Sequence, residues 1–190
     1  ALRRGFRVRL YTYNLLVFDP TWFGSAPVDL AAKLAAQARA KRSAKLKVVS
    51  RAYINFLRLG GEIQFETLSG ALIRRHLIQN QPIITGLSST YLHHAMWEYG
   101  PDDVEDDIRG VPAGHFVVLC GYDRRAREVL VADPLESNPH SPTRRYSIDI
   151  DRVLSSILLG VLTYDANLLI IEKAPGTQAG HPRAQSHRRQ

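Results

Sequence analysis

The chain has 190 residues, a formal net charge of +7 and a single cysteine, which is enough for one domain with a real core, or one domain plus a tail. It contains no apolar run long enough to cross a membrane. One cysteine makes neither an internal disulfide nor a Cys-rich zinc site, which points to a reducing, cytoplasmic setting. The positive excess is partly local, with Lys33, Arg39, Lys41, Arg42, Lys45 and Lys47 in one helical region and Arg183, Arg188 and Arg189 at the C-terminus. No RNA- or DNA-binding motif accompanies it, so it reads as a solvated helix face plus a basic tail, with neither nucleic acid nor membrane expected as a partner.

Ala1 to Gly5 reads like the last turn of a helix closed by glycine, which implies residues upstream. Phe6 to Asn14 alternates and is rich in β-branched and aromatic residues, as a strand requires. Val17 to Gly24 has the Pro and Gly of a loop, with Trp22 and Phe23 expected to pack. Two helices follow, Val28 to Ala40 with Asp29 near its start and Leu46 to Leu59 stopped by Gly60 and Gly61. Glu62 to Glu66 is a short edge-strand candidate, and Thr67 or Ser69 caps a helix to about Gln79 in which His76 is a boundary residue. Gln81 to Leu87 predicts a buried strand leading through Ser88, Ser89 and Thr90 to the adjacent His93 and His94.

Tyr99 to Pro112 carries Asp102, Asp103, Glu105, Asp106 and Asp107 and reads as a solvated acidic loop; its functional version is a rim that attracts basic substrates or binds a cation loosely. After the segment around residues 114–134 come a Pro- and Ser-containing loop to Thr143, a strand at Arg144 to Ile148, and a helix from Arg152 to Leu159 capped by Asp149 or Asp151. A last strand spans Asn167 to Glu172. Helices first and an antiparallel sheet second make an α+β architecture, with a cleft expected between the two halves.

The chemistry concentrates at Gly114 to Pro134. Two β-rich apolar runs flank a polar segment opening with Asp123, which predicts an antiparallel hairpin. If it folds about Arg124 with Tyr122 opposite Ala126, His115 comes opposite Asp133 on the same face. A loop of two or four residues would instead put them on opposite faces. In the first register the imidazole donates Nδ1–H to the carboxylate and keeps Nε2 free as a base. The bland alternative is a histidine at the core edge beside an aspartate that starts the turn into Pro134.

A base oriented by an acid lacks only a nucleophile. Cys120 is five residues along the same strand from His115, roughly 16 Å at about 3.3 Å per residue, and is assigned to the core. Ser88, Ser89 and Thr90 lack a Gly-x-Ser-x-Gly elbow. A metal reading would combine His115, Asp133 and one of His93 or His94.

Gly114 to Leu119, Val129 to Pro134 and, upstream, Pro82 to Leu87 resemble the second half of bacterial papain-like cysteine peptidases of the bacteriocin-processing, double-glycine-leader type, especially their stand-alone relatives. The likeness covers about Pro82 to Pro134, and Gly5 to Gly24 more loosely. It implies a papain-like α+β domain over residues 1–173; Pro, Gly, Gln, Ser and Arg dominate from Ala174, so 174–190 is expected to be a disordered basic tail. The likeness also implies peptide or amide substrates, no cofactor, and a Cys-His-Asp mechanism in which His115 is the base and Asp133 its orienting acid. The family's Gln and Cys at a helix start have no counterpart in these residues. The expectation is therefore a chain inactive by itself, with the nucleophile upstream of Ala1, or else a non-catalytic peptide-binding relative.

Overall fold

A short 3-10 turn at Leu2–Arg4, closed by Gly5 at φ 79°, leads into β1 (Phe6–Thr12). The computed structural model describes residues 1–135, 143–160 and 166–173. Asp19 caps a second 3-10 turn, Pro20–Phe23, by accepting the Thr21 N–H. This packs Trp22 and Phe23 around Phe18, whose ring centroid lies 4.8 Å from that of Tyr53.

Side-chain caps set the starts of the helices. Asp29 accepts the Ala32 N–H at the start of α1 (Leu30–Ala40), and Ser43 accepts the Leu46 N–H at the start of α2 (Ala44–Arg58). Ser69 does the same for α3 (Gly70–Leu77), and Asp149 takes two amides at the start of α5 (Ile150–Leu159). Each cap satisfies amides that have no intrahelical partner. Between them, α4 (Ser89–His93) is a single short turn capped by Ser88.

Among the described residues the main sheet has the order β2-β1-β9-β3-β6-β7-β8, with β2 at Glu62–Gln64, β3 at Ile83–Ser88, β6 at Gly114–Asp123, β7 at Glu128–Ala132, β8 at Arg145–Asp149 and β9 at Asn167–Lys173. β1 and β2 run parallel and the other pairs antiparallel. This is an α+β fold of the papain-like kind. The acidic segment expected as a loop instead contains a small antiparallel pair, β4 (Glu98–Tyr99) and β5 (Val104–Glu105). The expected tail from Ala174 lies outside the described residues.

Strand alternation separates the two cores. Tyr11 belongs to the cluster formed with α3, α4 and α5 through Leu72, Leu92, Val153 and Ile157, whereas its neighbour Leu10 packs with Phe18, Leu34 and Leu46 under α1 and α2. Successive strand residues point to opposite faces, so the two helical groups cover opposite faces of the sheet. The α1–α2 pair sits at the β1–β2 end, several strands from β6. His115 therefore does not lie in the cleft expected between the two halves: the helices packed against β6 are α3 and α4.

The hairpin register also differs from the expected one. Tyr122 pairs with Val129 and Asp123 with Glu128, leaving a four-residue loop. Asp123 Oδ1 accepts the Arg125 and Ala126 amides, and Arg127 takes a left-handed φ of 60°. That loop by itself would send His115 and Asp133 to opposite faces. A β-bulge prevents it: between the Leu119–Val131 and Gly121–Leu130 pairs, Cys120 is an extra residue without a partner. Inward positions on β6 thus switch from Val117 and Leu119 to Tyr122, while β7 keeps Val129 and Val131 inward. Continuing the Val118–Ala132 register places Asp133 beside Val117, diagonal to His115 and on its face.

Candidate active site

Asp133 follows β7, and its backbone N–H donates to Arg144 O, which ties the residue to the start of β8. Its side chain is sealed from solvent, and that of His115 is 21% exposed. The base therefore reaches the surface while its carboxylate partner does not. Oδ1 accepts from His115 Nε2 at 2.6 Å and from the Leu135 N–H at 2.9 Å; Oδ2 accepts the Tyr146 hydroxyl at 2.9 Å. Burial pushes the Asp133 carboxyl up, but the Leu135, His115 and Tyr146 hydrogen bonds and the His115 charge outweigh it, leaving the group below the ordinary carboxylate value.

The imidazole is turned end for end relative to expectation. Its Nε2, not Nδ1, meets the carboxylate. An ionised carboxylate only accepts, so the proton sits on Nε2 and Nδ1 carries the lone pair. The chemical content of the pair is unchanged: one ring nitrogen is fixed by a buried acid and the other is left to take a proton. β3 supplies the wall, with Leu87 paired to His115 and Ser88 to Gly114.

Cys120 is exposed, contrary to its assignment to the core, and its thiol donates to Leu130 O at 3.4 Å. The bulge places it on the strand edge, turned to the β7 backbone. Ser89 Oγ donates to Ala113 O, Thr90 Oγ1 accepts the Ala113 N–H, and Ser88 caps α4, so all three hydroxyls are engaged in holding backbone. His76 is buried, not at a boundary, with Nδ1 2.7 Å from Gln81 Oε1 and Nε2 3.3 Å from the Tyr11 hydroxyl.

The adjacent histidines separate. His94 turns outward at φ 53° after α4, while His93 is buried with Nε2 3.5 Å from Asp133 Oδ2. No group of three or more His, Cys, Asp or Glu suited to a metal ion occurs among the described residues, so the metal reading has no geometric support. Sequence reasoning missed Tyr146 as a partner of Asp133, a long-range contact with no local signal; His93, grouped with His115 and Asp133 only in the metal reading, does come to the carboxylate.

The site is thus an acid-oriented histidine on a central strand of a sheet flanked by helices, in an α+β fold. Residues 42–152 match the model of the Peptidase_C39 like family. That span is more than half of the chain and includes His93, His115, Asp133 and Tyr146, and the chain belongs to this family. The crystal structure of a candidate C39-like peptidase from Bacillus anthracis is similar at 17% identity with a TM-score of 0.34, over 56% of this chain and 48% of that one. The chain thus spans about half the length of that protein. No curated protein matches the chain.

Proposed function

We propose that this chain carries the base half of a cysteine-type amide hydrolase of the double-glycine leader peptidase-like kind, with His115 as base, Asp133 as its orienting acid, and a peptide or amide as substrate. The observation that carries the proposal is the 2.6 Å contact of His115 Nε2 with a sealed carboxylate, which leaves Nδ1 to work as a base. In that role Nδ1 takes the proton of a thiol, and Asp133 stabilises the imidazolium that results. The thiolate adds to the substrate carbonyl carbon. As the C–N bond breaks, the imidazolium returns the proton to the departing amine. Water, deprotonated by the same nitrogen, then cleaves the thioester.

Cys120 does not fit the nucleophile's place, since its thiol faces Leu130 O on an exposed bulge. On this reading the nucleophile is supplied from outside these residues, and the 190 residues by themselves would be inactive. The same observation supports a second reading, a non-catalytic relative that keeps the fold for binding peptides. The test uses the protein expressed from its complete gene, treated with an electrophilic thiol probe. The peptidase reading expects labelling at a cysteine other than Cys120 that is lost in His115→Ala. Labelling confined to Cys120, or indifferent to His115→Ala, favours the non-catalytic relative.

A further inference from the structure

One side chain beside the sealed carboxylate has no part in the base chemistry. His93 closes α4, its side chain is 3% exposed, and its Nε2 lies 3.5 Å from Asp133 Oδ2. That distance is long for a strong hydrogen bond and short enough for an imidazole N–H to act on an ionised oxygen shielded from water. Its placement is fixed from behind: Arg152 on α5 donates through Nε to Leu92 O at 2.9 Å and through its terminal nitrogen to Tyr91 O at 3.1 Å, gripping the end of α4. Edge to face, the His93 ring meets Tyr146, with centroids 6.2 Å apart. The carboxylate is therefore divided, with His115 and the Leu135 amide on Oδ1 and Tyr146 and His93 on Oδ2.

We infer that His93 is a positioning residue for the His115–Asp133 base: its Nε2–H, together with the Tyr146 hydroxyl, holds Oδ2 so that Oδ1 stays aimed at His115. An acceptor-only carboxylate facing Nε2 selects the tautomer with the proton there. Partial rotation of Asp133 about its soft terminal torsion would lengthen the His115 contact; the Tyr146 hydrogen bond to Oδ2 and the His93 nitrogen 3.5 Å from it oppose that rotation. The inference rests on His115 being the base. Its central claim, control of the His115–Asp133 bond, is nonetheless readable without turnover.

Two variants separate this role from packing. His93→Phe keeps a ring against Tyr146 and removes the nitrogens, and His93→Gln keeps a donor and removes the ring. In the 15N-labelled protein expressed from its complete gene, the low-field Nε2–H resonance of His115 reports its bond to Asp133. The expected result is a resonance kept in wild type and in His93→Gln and broadened away in His93→Phe. Turnover of a peptide amide then falls about tenfold in kcat for Phe with KM unchanged, and Gln recovers most of it. A resonance unchanged in Phe, or lost in Gln and kept in Phe, overturns the inference. Absent turnover in every form would sink the peptidase reading and leave the resonances to decide the role of His93.

Discussion

Tyr146 donates its phenolic hydrogen to Asp133 Oδ2 across 2.9 Å, at the oxygen that His115 does not use. Both groups are buried, so the bond is shielded from water. Hydrogen bonds to a charged acceptor contribute about 1.5–3 kcal/mol. Tyr146→Phe should lose stability in that range while keeping the fold, measured by urea or thermal unfolding. A change below a few tenths of a kcal/mol would show that the hydroxyl does not bond a charged acceptor.

The depressed carboxyl of Asp133 gives a signed pH dependence. The folded chain holds that proton less tightly than the unfolded chain, whose carboxyl titrates near about 3.9. Its contribution to stability is therefore fully present above that value and is lost as pH falls towards the folded-state value. The stability difference between wild type and Asp133→Asn should be constant near neutral pH and shrink below about pH 5. Denaturant titrations at several pH values check this, and a gap that widens with acid would contradict the shift.

Gly160 is a packing position. A Cβ there would lie 3.0 Å from Leu87 Cα and 3.3 Å from its carbonyl carbon, both backbone atoms. Leu87 is paired with His115, so any displacement of β3 is passed directly to the site. Gly160→Ala should cost about 1–3 kcal/mol, the usual range for overpacking. Amide exchange of Leu87 and His115 should quicken with it; unchanged exchange would place the strain elsewhere.

Exposure of Cys120 makes the bulge testable. The thiol should react stoichiometrically with a water-soluble disulfide reagent in the native chain. Because the residue has no role in the core, Cys120→Ala should shift stability by no more than about 0.5 kcal/mol. Deleting residue 120 should be far worse, since every inward side chain on one arm of the hairpin would then face the wrong way. Far-ultraviolet circular dichroism and the His115 ring resonances distinguish the two outcomes.

Much of the framework was legible in local signals. The caps at Asp29, Ser69 and Asp149, the apolar runs of the hairpin, and the polar interruptions at His115 and Asp133 all follow from residue type and spacing. The bulge had one local signal, Gly121 directly after Cys120, which the sequence reading did not use, while the loop Arg124 to Arg127 carries no turn-specific residue. The orientation of the His115 ring was hidden: it depends on which nitrogen the diagonal offset brings to Asp133, a matter of one side-chain torsion. Tyr146 and His93 lie 13 and 40 residues from Asp133 along the chain, and only the β7–β8 pairing and the α4 turn bring them to it. The family's matched span includes all four residues, so the likeness located the region without giving its geometry.

The extra residue in β6 has a consequence for how this hairpin tolerates length variation. The loop and the bulge are each out of step by one, and they cancel. A change of one residue in either is corrected by a one-residue change of either sign in the other, so insertions and deletions between His115 and Asp133 are expected in matched pairs across homologous chains. A three-residue loop with no bulge would keep both side chains on one face, whereas altering either feature alone would turn them apart.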